Sequence, residues 1–137
     1  MREIERKTRG MKNNNPGNIR IGRSDWKGLK EVQTDKSFYQ FIDLEWGIRA
    51  MIRLLQNYHK LYGINTIEEI VNRYAPANEN NTEKYIDIVC TRAGYKKSRI
   101  VAFGNMEEMC LICQAMCFVE NSYEIPLDYF VRAWHRL

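Results

Sequence analysis

Histidine is almost missing from this chain, and so is any long apolar run. The two histidines, His59 and His135, lie far from each other, and three of the four cysteines share one helical stretch with methionines. A zinc site needs a turn-borne cysteine pair with further ligands at set spacing, so neither a metal nor a cofactor is expected. The longest apolar run, Met109 to Val119, is broken by Gln114 and is too short to cross a bilayer, so no membrane span is expected. The first ten residues, MREIERKTRG, offer no apolar segment for Sec export, and synthesis in the cytoplasm without a Sec signal is the expectation. There are no repeats and no low-complexity tract. Nor is there a strong charge excess: a net +4 suits an anionic partner without choosing one. Arg9, Arg20, Lys96, Lys97 and Arg99 are scattered and belong to no binding motif, so nucleic acid is not expected as the partner.

What is present describes a globular domain. Hydrophobic residues make up 45% and charged ones 28% of 137 positions, enough to bury a core without staples. The most apolar stretch runs from Asn105 to Tyr123. Asn105 and Glu108 make a capping-box pattern, and Met106, Met109, Cys110, Cys113, Met116, Cys117 and Glu120 recur at three- and four-residue steps. They form one helix face, with the cysteines buried and reduced. A second helix, LEWGIRAMIRLLQNYHKLYG, is capped by Asp43 and stopped at Gly63. Its inward stripe is Leu44, Ile48, Met51, Ile52, Leu55 and Tyr58, with Arg49 and Arg53 outside. Glu45 in its first turn reads as a charge that favours the dipole, with no chemistry assigned to it. Thr66 and Glu69 box a short helix that must end before Pro76. Asn80 is the expected cap of EKYIDIVCTRA, which closes at Gly94, and Pro126 opens a last helix. Between Asn18 and Ile42 short alternating runs predict a small, irregular antiparallel sheet at most; Trp26 there either packs on the core, as large aromatics usually do, or lines a sugar-binding groove. The fold class is mainly α, or α+β with helix dominant: residues 1–12 a basic arm, residues 13–137 a single domain.

Three features exceed what a scaffold needs. Glu120 ends an apolar stripe, where desolvation and the helix dipole both favour its neutral form and raise its pKa, as a general acid requires. Without further support, a helix-end glutamate turned to water explains it as well. Residues Lys12 to Arg20, KNNNPGNIR, cannot be helix interior or central strand, and crowd amide donors and acceptors into one loop. Residues Tyr74 to Tyr85, YAPANENNTEKY, hold more polar groups than one helix cap uses.

Those two segments, with Trp26-Lys27-Gly28, Phe41 and Gly47-Ile48-Arg49-Ala50, resemble a family of phage virion and prophage proteins in the lysozyme-like superfamily. The order of motifs is also similar to flagellar-type glucosaminidases, except that there the glutamate-bearing helix comes first. Here it comes last, which implies a circularly permuted lysozyme-like domain. Relatives often carry Glu-Asn-Gly after that helix, where this chain has Ser122.

The resemblance implies cleavage of a β-1,4 glycosidic bond in peptidoglycan glycan strands, at the cell wall or in a phage particle. Glu120 would be the general acid, and Glu79 the best-placed second carboxylate. Asn15, Asn18, Tyr74, Asn80, Thr82 and Tyr85 would bind the sugars. Hydrolysis and lytic transglycosylation both fit, and the alternative is a non-catalytic virion or wall-binding protein on the same fold.

Overall fold

Six helices account for the regular structure of the described residues, which are 4–78 and 80–137 of the computed structural model. They are α1 (Arg9–Lys12), α2 (Leu44–Tyr62), α3 (Ile67–Tyr74), α4 (Thr82–Ala93), α5 (Met106–Asn121) and α6 (Leu127–Trp134). The fold is mainly α. Helix α5 is its axis, packed against α4 and α6 and more lightly against α2 and α1. Its sequence is apolar on nearly every side, and Met109, Cys110, Ile112, Cys113, Met116 and Cys117 are all at most 1% exposed. Each large apolar side chain so buried contributes ~1.5–3 kcal/mol. The three cysteines on this helix are free, and burial pushes their thiols up, Cys110 to about 11.

Capping decides the boundaries. Asp43 accepts from Trp46 N–H to open α2, and Gly63 at φ 67° closes it. Thr66 and Glu69 form the full reciprocal box at α3. At α5 only half of the expected box forms: Asn105 caps, but Glu108 turns away to Arg99 (2.7 Å) and the Ala102 N–H (2.6 Å). The cap of α4 is Asn81, not Asn80, and accepts from Lys84 N–H. Asn80 instead donates to the Pro76 carbonyl, within the turn that follows α3.

Three expectations need correction. The basic arm does not extend to residue 12, because Thr8 caps α1 and Met11 is 1% exposed in the core. Arg49 is buried rather than outside, since α6 closes over α2 and the Arg136 carbonyl accepts its Nε–H at 3.1 Å. The expected sheet reduces to isolated antiparallel bridges, Arg20 with Phe38 and Leu29 with Phe41, among the described residues. Backbone bonds join the segments at intervals, Ile21 N–H to Ser37, Tyr39 N–H to Ile19, Lys30 N–H to Gln40 and Ile42 N–H to Gly28, and side chains fill in between them: Asp35 accepts from Ser37 N–H and Phe38 N–H, and the Gln33 amide bonds both backbone groups of Gln40. No helix among the described residues is long and apolar enough to cross a membrane.

Candidate functional site

The loop from Asn13 to Arg20 is built by its own amides. Asn14 and Asn18 sit at φ 53° and 52°, a region asparagine enters more readily than other residues with a side chain. Asn15 is fully buried: its Nδ2 donates to the Ile19 and Tyr39 carbonyls, and its Oδ1 accepts from Ile19 N–H. Asn13 donates to Asp35, whose carboxylate also takes two bonds from Arg9. Arg9, with Asn13 and the Ser37 and Phe38 amides, holds Asp35 well below the usual carboxylate range. The loop lies directly on α2 because residue 47 is glycine; a methyl group there would overlap the Asn14 carbonyl.

Helix α5 meets this loop at its C-terminus. Asn121, 4% exposed, donates to the Pro16 carbonyl (2.7 Å) and accepts from Thr8 Oγ1 (2.7 Å). That clamp brings Asn18 Nδ2 to within 2.8 Å of Glu120 Oε1. From the other side Tyr85, carried by α4, donates its hydroxyl to Glu120 Oε2 at 3.0 Å. The helix then stops at Ser122, which takes the left-handed conformation at φ 51°. A glycine would take that conformation freely, which is the physical content of the Glu-Asn-Gly pattern.

Glu120 opens onto a cleft of about 340 Å³ whose walls include Asn18, Arg20, Trp26, Phe38, Tyr74 and Asn80. Its pKa is raised because burial disfavours the carboxylate; the bonds from Asn18 and Tyr85 and the charge of Arg20 pull the other way. Tyr74 joins the two polar segments, its hydroxyl donating to the Gly17 carbonyl. Trp26 reaches the cleft because Gly28, at φ 82°, lies flat against Trp46, and any Cβ there would collide with that indole. Arg20 sits 5.1 Å from the Phe38 ring centroid, adding a cation to one wall. A carboxyl whose protonated form is favoured by burial, set beside a cation and aromatic faces, can donate a proton to a bound sugar oxygen.

The sequence-derived site residues separate into three groups, with Glu79 apart from them. Asn18, Tyr74, Asn80 and Glu120 line the cleft together. Asn15 and Thr82 do not bind from the wall: both are buried, and the Thr82 hydroxyl donates to the Ala75 carbonyl to hold the turn. Tyr85 is buried behind Glu120 and acts on the carboxylate rather than on a ligand. Glu79 lies outside the described residues.

Sequence reasoning missed other residues. Of the two places open to Trp26, the core was preferred; the residue is partly buried against the core and also lines the cleft, with its indole N–H unpartnered among the described residues. Arg20 and Phe38 were not assigned to the site, although both fall inside or opposite the polar loop. Asn121 carries the clamp, and its place directly after Glu120 was the available signal.

No family model matches this chain. Protein P5 of Pseudoalteromonas phage PM2 is similar to it, 37% identical over 122 residues that cover 87% of this chain and 74% of that protein.

Proposed function

The chain belongs to the family of protein P5 from Pseudoalteromonas phage PM2, and from that premise we propose that it is a phage-encoded, lysozyme-like glycosidase. It cleaves a β-1,4 bond of peptidoglycan glycan strands, at the cell wall or from within a phage particle. The observation that carries this reading is Glu120: a carboxyl with a raised pKa, held between Asn18 and Tyr85 on the wall of a polar, aromatic cleft. Burial extends its protonated form to higher pH than an exposed carboxyl would keep it. The proton goes to the glycosidic oxygen, and as that bond breaks positive charge develops on the sugar ring. The Glu120 carboxylate left behind is met by the Asn18 and Tyr85 donors already in place, so no rearrangement accompanies the charge. Asn80, Tyr74 and Trp26 orient the rings. The motif order, with the glutamate helix last, corresponds to a circular permutation of the lysozyme-like arrangement.

Among the described residues that line the cleft, Glu120 is the one carboxylate. Two routes start from this acid: hydrolysis with a second carboxylate, for which Glu79 is the candidate, and lytic transglycosylation, in which the sugar's own hydroxyl attacks and Glu120 acts first as acid and then as base. The test is incubation with dye-labelled peptidoglycan, followed by mass spectrometry of the muropeptides. Anhydro ends identify transglycosylation, and reducing ends identify hydrolysis and the bond cut. Absence of dye release at any protein concentration would make the chain a wall-binding protein instead.

A further inference from the structure

A polymer cut in its interior lies on both sides of the acid, and the surface beside Glu120 continues beyond the cleft. Asn80 is a wall of the cleft and also of a second depression, about 330 Å³, between α4 and α5. Val119 and Ser122, on either side of Glu120 in the chain, line it, and so does Tyr85. Beyond Ile88 and Phe118 it continues to Arg92 and Asp87, so the basic character lies at the Lys84 end nearest the cleft.

The chemistry of this depression differs from that of the cleft. A sugar ring seeks an open aromatic face. Here the Phe118 ring is covered by the Arg92 guanidinium, 3.3 Å from the centroid, and Arg92 is itself paired with Glu124 at 3.2 Å. What remains is an aliphatic strip, Ile88 and Val119, with the exposed Lys84 ammonium one helical turn before Ile88. Small apolar side chains next to a free carboxylate are the complement of that surface, and a short acidic peptide has both. Peptidoglycan strands carry such peptides on alternate sugars.

We propose that the depression between α4 and α5 binds the acidic stem peptide of the strand whose sugars occupy the cleft. The protein then favours peptide-bearing strands over bare ones, with Lys84 facing the peptide carboxylate. This rests on the reading of the Glu120 cleft as a glycan site.

The test uses the full chain carrying Glu120→Gln, so that binding is measured without turnover. Calorimetry compares peptide-bearing glycan strands with the same strands stripped by an amidase. Peptide-bearing strands are expected to bind about ten-fold more tightly, a difference on the scale of one charge-assisted contact plus a small apolar one. Adding Lys84→Glu, at an exposed position whose replacement leaves the melting temperature unchanged, should remove most of that preference. Equal affinity for the two strand types, or a preference that survives Lys84→Glu, overturns the peptide site while the glycan cleft stands. Failure of both strand types to bind overturns the glycan cleft and this inference together.

Discussion

Asn18 and Glu120, 102 positions apart in the chain, are joined by a hydrogen bond of 2.8 Å from the amide to Oε1. Tyr85 makes the matching bond to Oε2 at 3.0 Å. Both donors stabilise the ionised carboxylate, yet its pKa is raised, so burial outweighs them together. Glu120 is therefore held by opposed influences, and each partner of the carboxyl tunes it in a direction that can be measured.

Glu120→Gln keeps the shape and removes the proton. Activity on peptidoglycan should fall at least ~100-fold, the lower range for loss of a general acid. Stability should respond with the opposite sign. A carboxyl whose folded pKa lies above its unfolded value costs stability as pH rises through that interval, and costs none below it. Thermal melts should show Glu120→Gln above the parent at neutral pH and level with it in acid. Glu107→Gln, an exposed acid at the start of α5, serves as control. Glu45 does not, because it pairs with Arg132 (2.8 Å) and Arg136 (3.0 Å) and ties α2 to α6.

Tyr85→Phe removes one donor to the ionised form without opening a void. The pKa of Glu120 should rise further, and the alkaline limb of the pH–activity profile should move to higher pH. Loss of one buried hydrogen bond should cost about 1 kcal/mol in urea unfolding. An unmoved alkaline limb would mean that Glu120 is not the group titrating in it.

Gly47→Ala places a methyl group against the Asn14 carbonyl. The backbone of the asparagine loop has to retreat, at a cost of ~1–3 kcal/mol for overpacking. Because that loop carries Asn18, activity should drop more than the loss of folded fraction accounts for. Circular dichroism melts with parallel rate measurements separate the two effects.

Ser122→Gly should stabilise. A side-chain-bearing residue at φ 51° costs ~1–2 kcal/mol, and the extra freedom of glycine in the unfolded chain returns ~0.5–1 of it. A net gain of ~0.5–1 kcal/mol in the urea midpoint is the expected result.

Local chemistry made much of the helical scaffold legible in advance. Asp43 and Gly63 bracket α2, Thr66 and Glu69 box α3, Gly94 ends α4, and the methionine–cysteine stripe marks α5, because caps and periodicity act over a few residues. The region from Asn18 to Ile42 was less legible. Its backbone bonds are few and are interleaved with bonds from the side chains of Asp35, Gln33 and Gln40, and alternation carries no record of that mixture.

The candidate site divides along the same line. Periodicity was enough to place a carboxylate at the end of an apolar helix, while composition made the two amide-rich segments stand out and left an ordinary surface turn as the simpler account of the first. Neither could tell which amides face outward. Asn15 and Asn18 are three residues apart in one motif, yet one is sealed inside the loop and the other reaches Glu120. Only the tertiary structure decided that, along with the burial of Arg49 and Tyr85 and the exposure of Trp26 to the cleft. Hydrogen-bonding capacity belongs to the residue. The partner that uses it comes from a distant part of the chain, and Asn121 reaching back to Pro16 is the contact that brings the two ends together.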